Sequence, residues 1–241
     1  MELMTNGGRR GEPLSKYSVR TYIRPIRFML TWAENQGEDV QAKPAIPRVG
    51  KRFRDVPSRD ETEQIESAAN TERDKLIIRL FADCGLRLNE LAQLRRRDIR
   101  RIDNHAMLII HGQGDRRVPV PPGLMRRLQR HADAKRDADG NDYIFTAKRR
   151  SPFGEYEALK GSGIEQMVRW TARRAGIERR VHPHLFRHSW MTEMLRRGMN
   201  PIQLLVIAGA SQPVIAQYYE HLNQDDAYDA MLRAWSMDGG G

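Results

Sequence analysis

The sequence is poor in cysteine: Cys84 is the only one among 241 residues, so no disulfide can form within the chain. It lies in the apolar run LIIRLFADCGL, where a small buried side chain is expected, and neither a redox nor a metal role is assigned to it. Long hydrophobic runs are also missing, none approaching the ~20 apolar residues of a membrane span. The N-terminus, MELMTNGGRRGEP, lacks the apolar segment of a secretory signal. These absences exclude a disulfide scaffold and a helical membrane protein, and they predict a cytoplasmic protein. No repeat of fixed period is present. His182, His184 and His188 fall close together, but no carboxylate or cysteine accompanies them at ligand spacing, so no metal or other cofactor is expected.

Negative charge is scarce relative to positive. Lys and Arg number 41 against 31 Asp and Glu, a net charge of +10 with a pI near 10.1. Such a surface attracts polyanions, of which nucleic acid is the commonest, although composition alone equally fits a soluble basic protein. The length suffices for one large domain, or for a small domain followed by a larger one, with a substantial core.

Residues 1–13 are polar and glycine-rich and are expected to be disordered. From Ser15 onward Val19, Tyr22, Ile23, Ile26, Leu30 and Ala33 recur at spacings of three and four, with Arg20, Arg24 and Arg27 between them. This predicts an amphipathic helix with a basic flank, ending near Gln36 and Gly37, and kinked or shifted in its start by Pro25. The helical unit spans 14–40. The stretch VQAKPAIPRVGKRFRDVP follows as an extended linker over 41–57, and its Lys51, Arg52 and Arg54 suit a phosphate backbone.

A second domain is expected over 58–224. Ser58 and Glu61 form a capping box, Thr71 opens the next helix and Gly85 stops it. Leu86 to Ile99 reads as helical, with Leu88, Leu91 and Leu94 inward. Met107 to His111 and Arg117 to Val120 read as the two strands of a hairpin around a glycine-bearing loop. Asp137 to Tyr156 shows no regular pattern, and a helix begins near Gly163. Asn200 and Pro201 start another helix. Ser211 caps a short helix before Tyr219, and a tail helix lies within 225–241. The fold class is thus mainly α with a small β-hairpin or sheet, α+β.

Polar residues in apolar surroundings mark the candidate site. Arg87 stands in a core-facing segment, with Glu90 three positions on to orient its guanidinium. Taken alone, that pair reads as a structural ion pair. A second arginine, Arg187, stands three positions after His184, so the two share a helix face. Two guanidinium forks at one phosphate would neutralise the charge of a pentacoordinate transition state, and His184 can move a proton near neutral pH.

Cys84-Gly85-Leu86-Arg87-Leu88-Asn89-Glu90-Leu91 resembles the first signature of the tyrosine recombinase (phage integrase) family. His184-Leu185-Phe186-Arg187-His188 is similar to the second. Arg196 to Gly198, then Gly209-Ala210-Ser211, then Tyr219-Glu220-His221 is similar to the third. The order and gaps agree from about Ser58 to Leu222, and the N-terminal helix and linker resemble the end of that family's core-binding domain, here truncated with no room for an arm-binding module. The resemblance implies that Tyr219 attacks a DNA phosphate to give a 3′-phosphotyrosyl link and a free 5′-hydroxyl, with Tyr218 the competing nucleophile. Arg87 and Arg187 would clamp the phosphate, Glu90 would support them and His184 would transfer a proton. It further implies double-stranded DNA as partner, a tetramer on paired sites with the tail exchanged between protomers, an accessory directionality factor, and a bacterial cytoplasm with its nucleoid DNA.

Two positions depart from the family pattern. Ala210 stands where His or Trp is usual. Gln113 stands where a hairpin Lys would protonate the leaving oxygen, and a carboxamide cannot act as that acid. Losing such a group costs on the order of a hundredfold in rate. Arg116 and Arg117 lie in the same hairpin and are assigned to DNA contact. A second reading, a DNA-binding regulator without chemistry, takes Leu195 to Tyr219 as a helix-turn-helix and these two departures as lapsed catalysis.

Overall fold

The computed structural model describes residues 13–49, 55–112, 115–134, 143–150 and 156–210, and it divides into two units, Met1–Arg54 and Asp55–Gly241. In the first unit α1, Lys16–Asn35, starts where the Ser15 hydroxyl accepts the amide of Ser18 at 3.1 Å. The helix runs on through Pro25, so its start is set by the Ser15 cap and is not shifted to the proline. Gly37 takes φ 90° just beyond the end, as the glycine stop predicted. Arg27 donates to the carbonyl of Pro44 at 3.3 Å and Lys43 pairs with Glu34, so the segment after the helix is tied back to it. Arg24 is exposed and Arg20 half-buried, whereas Lys51, Arg52 and Arg54 lie outside the described residues.

The second unit opens with α2, Arg59–Ser67, capped by Ser58 and Glu61 in both directions, and α3, Glu72–Cys84, capped by Thr71. The expected helix from Leu86 to Ile99 is a correction: only α4, Leu88–Ala92, is α-helical, followed by a single 3-10 turn at Arg96–Asp98 and then a strand. Two capping boxes in succession explain it. Glu90 accepts the amide of Arg87 and Asp98 accepts that of Arg95, and the second box restarts the chain before the first helix can continue.

The hairpin is likewise larger than its two expected strands. β1 (Ile99–Ile102), β2 (His105–Ile110) and β3 (Arg116–Pro119) form an antiparallel sheet in that order. Asp103 and Asn104, both at positive φ, make the tight turn between β1 and β2. Leu108 pairs with Val118 and Ile110 with Arg116. The region read as irregular holds a second, two-stranded sheet of β4 (Thr146–Arg150) and β5 (Tyr156–Ala158). Between the sheets lies α5, Pro122–Asp133. α6 (Gly161–Arg174), α7 (Pro183–Arg196) and α8 (Pro201–Ala208) follow among the described residues, with Asn200 capping α8.

The main core joins α2 to α7 with the three-stranded sheet, around Phe81, Phe145, Phe186, Leu76 and Leu80. A second cluster of Trp190, Met191, Leu195, Leu204 and Ala208 binds α8 to α7. α7 is buried on nearly every side, which is how it can carry a buried arginine into the interior. Gly85 makes the close approach of α3 and α7 possible. It ends α3 in the left-handed region at φ 58°, and a Cβ there would lie 2.1 Å from Cε3 of Trp190.

Candidate active site

Three arginines from separate elements converge on the last turn of α8. A helix leaves its final carbonyls without intrahelical donors, and the dipole makes that end negative, so cations are favoured there. Arg116 Nε donates to the carbonyl of Ile207 at 2.8 Å, Arg187 Nη2 to that of Ala208 at 2.6 Å, and Arg87 Nη2 to that of Gly209. Three consecutive carbonyls thus take guanidinium groups from β3, α7 and the loop before α4. Gly209, left-handed at φ 59°, lets the Arg116 side chain pass where a Cβ would stand 3.2 Å from it.

Glu90 is the anionic centre of this cluster. One oxygen accepts from Arg87 Nη1 and Arg116 Nη1, each at 2.7 Å; the other accepts from the Arg87 amide and Arg116 Nη2, also at 2.7 Å. Burial alone would raise its pKa, but the hydrogen bonds from Arg116 and Arg87 outweigh this and hold the carboxyl at about 2. Arg187, 7% exposed, also donates from Nη1 to the carbonyl of Gly85, two residues before Arg87. Of the three forks, Arg87 is the one offered to solvent: its side chain is 39% exposed against 11% for Arg116.

The two arginines singled out by spacing are therefore brought together, and Glu90 orients Arg87 while capping α4. Arg116, expected to contact DNA, has its guanidinium turned inward, with both terminal nitrogens on Glu90. Strand alternation is the reason: Arg116 and Val118 point to the core face, while Arg117 points outward and is exposed. The same alternation, carried one residue further back along β3 than the expected strand, is the signal that could have found it.

His184 lies one turn before Arg187 on α7 and is exposed, its ring edge-on to His182 with centroids 6.2 Å apart. Among the described residues, no group of three His, Cys, Asp or Glu side chains is placed to hold a metal ion. No described helix is long and apolar enough to cross a membrane. Ala210 is the last described residue, its amide bonded to the Leu205 carbonyl at 3.1 Å. Gln113, Ser211, Tyr218, Tyr219, His221 and the tail helix fall outside the described residues.

Comparison with known proteins bears on this geometry. Residues 57–226 match the sequence profile described as Phage integrase family. Over 221 residues the chain is 31% identical to tyrosine recombinase XerA of Saccharolobus solfataricus, covering 91% of this chain and 68% of that protein. Over 223 residues it is 27% identical to tyrosine recombinase XerA of Pyrococcus horikoshii, covering 91% and 75%. The solved structure of the Tn1549 transposon integrase in complex with transposon right end DNA is similar in fold, with TM-score 0.70 at 18% identity, over 91% of this chain and 80% of that one.

Proposed function

This chain belongs to the phage integrase family, and from that premise we propose that it is a site-specific recombinase that cuts and rejoins duplex DNA through a 3′-phosphotyrosine bond to Tyr219. The observation that carries the reading is the meeting of Arg87 and Arg187 on adjacent carbonyls of one helical turn. In these four side chains, three guanidinium charges stand against the single carboxylate of Glu90, an excess of two positive charges. A phosphodiester carries one negative charge, and its pentacoordinate transition state approaches two. The cluster is therefore matched to the state that must be stabilised, which is where binding lowers a barrier.

In this reading the scissile phosphate takes up the donors that Arg87 and Arg187 direct at the α8 carbonyls. The Tyr219 phenol attacks phosphorus and loses its proton to His184. The P–O5′ bond breaks, leaving a 3′-phosphotyrosyl link that conserves the bond energy, so a 5′-hydroxyl can reverse the step without nucleotide. Arg20, Arg24, Arg27, Lys51, Arg52, Arg54 and Arg117 would bind flanking phosphates. The helical unit 14–40 and linker 41–57 would bind DNA, as would the catalytic domain 58–224. The tail 225–241 would dock on a neighbour in a tetramer, with an accessory factor setting direction, on nucleoid DNA in the bacterial cytoplasm.

The test is covalent capture. A library of duplexes with randomised sequence, each nicked so that the short downstream strand escapes after cleavage, is incubated with the protein and resolved on a denaturing gel. Wild type and Tyr218→Phe should yield a protein-linked band and Tyr219→Phe none. Loss of the band in Tyr218→Phe would move the nucleophile by one position, and its absence from wild type would leave a DNA-binding protein without strand chemistry.

A further inference from the structure

We propose that the exposed face of α6 reads base edges in the DNA major groove, with Arg169 selecting guanine and Gln166 adenine, an assignment that rests on the recombinase reading above. A phosphate carries no sequence information, so the arginine cluster by itself would hold any duplex alike. Site-specific cleavage therefore needs side chains that meet bases beside the same phosphate. A cleft of about 400 Å³ supplies them. Its walls are Ser162, Glu165, Gln166 and Arg169 of α6, with Arg180 and His182 from the segment before α7.

Two contacts tie this cleft to the candidate site. The His182 ring lies edge-on to that of His184, with centroids 6.2 Å apart, and His184 stands one turn before Arg187 on α7. At the head of α6, a Cβ on Gly161 would lie 3.3 Å from Cδ2 of Leu88, so the helix begins against the residue that follows Arg87. Ile164, Val168 and Ala172 are buried in the main core, which fixes the helix from behind. Ser162, Glu165, Gln166 and Arg169 recur at steps of three and four on the exposed side, which aligns them along the cleft.

These four side chains, with that of Arg180, make no hydrogen bond or ion pair among the described residues. Glu165 and Arg169 stand four apart in the order that favours an ion pair on a helix, and they do not form one. Elsewhere Arg59, Arg79, Arg127 and Arg197 are each engaged by a carboxylate. The residue types then decide the ligand. A guanidinium meets guanine O6 and N7 with two parallel donors, and a carboxamide meets adenine N6 and N7 as acceptor and donor together. Glu165 would be repelled by a phosphate backbone, but within the groove it can accept from cytosine N4. The major groove admits an α-helix, and a helix held rigidly by its buried face keeps such contacts in register.

The experiment selects bound sequences from a randomised duplex library by gel shift, using the full chain with Tyr219→Phe so that binding is read without strand chemistry. This protein should enrich one motif that contains both guanine and adenine. In the same background Arg169→Ala should lower the preference for one guanine on the order of tenfold, and Gln166→Ala that for one adenine, each leaving the other positions of the motif unchanged. Arg130→Ala, which removes the same charge from α5, should leave the whole motif unchanged. The proposal is overturned if no motif is enriched, if Arg169→Ala or Gln166→Ala weakens all sequences alike, or if Arg130→Ala alters the motif as Arg169→Ala does. Covalent capture keeps the two readings apart. An altered motif with no adduct from wild type would remove the recombinase reading and leave the base-reading helix, whereas an adduct with a motif insensitive to both α6 variants would do the reverse.

Discussion

Replacing Glu90 by Gln removes the one carboxylate that holds Arg87 and Arg116 in register while keeping its shape. The side chain is 10% exposed and accepts four N–H groups. Its carboxyl titrates at about 2 in the folded chain against 4.5 ordinarily, which at neutral pH corresponds to a stabilisation of about 3 kcal/mol. Breaking a buried ion pair by removal of one partner gives a comparable figure of ~3–5 kcal/mol. For a unit of this size the loss lowers Tm by about 6–12 °C. The sign follows from the depressed pKa: the contribution is complete above the unfolded value of 4.5 and is lost as pH falls toward 2. Urea unfolding of wild type and Glu90→Gln at pH 7, 5, 4 and 3 should therefore show a gap that is constant from 7 to 5 and narrows below 4.5. A gap under about 1 kcal/mol at pH 7, or one that does not narrow in acid, would refute the idea that Glu90 organises the arginine cluster.

Gly85→Ala should be among the most destabilising single-methyl changes in the chain. It forces a Cβ into the left-handed region and to within 2.1 Å of the Trp190 ring, at a cost of about 2–5 kcal/mol in urea unfolding. Trp190→Ala in the same background should relieve part of that added loss. Cys84 is buried and burial pushes its thiol well above the ordinary range, so a disulfide exchange reagent at pH 8 should modify it only slowly in the native protein and rapidly in urea. Fast native modification would contradict the packing of α3.

Much of the fold was legible because its signals are short-ranged. Ser58 and Glu61, Thr71, Gly85, and Asn200 with Pro201 each mark a helix end through residues no more than three or four positions away, and each does so in the structure. The failures have a common cause. Ile99–Ile102 carries two arginines and no clear alternation, and becomes a strand only because β2 lies beside it. Thr146–Arg150 likewise takes its form from Tyr156–Ala158. Strand pairing is a long-range interaction, and a few residues of polar sequence do not announce it.

For the site, the sequence alone determined which charges must find partners: Arg87, Glu90 and Arg187 are conspicuous because they stand in apolar segments. It also determined the cap that places Arg87 at the head of α4, since Glu90 binds the Arg87 amide within one turn. Only tertiary structure decided that Arg87 and Arg187 meet, and that Arg116 joins them, because all three are held by the carbonyls of Ile207, Ala208 and Gly209, up to 122 residues away in the chain. A main-chain carbonyl has the same chemistry at every residue. Which three become receptors for guanidinium groups depends on where α8 ends and what packs against that end, and no local pattern of side chains encodes it.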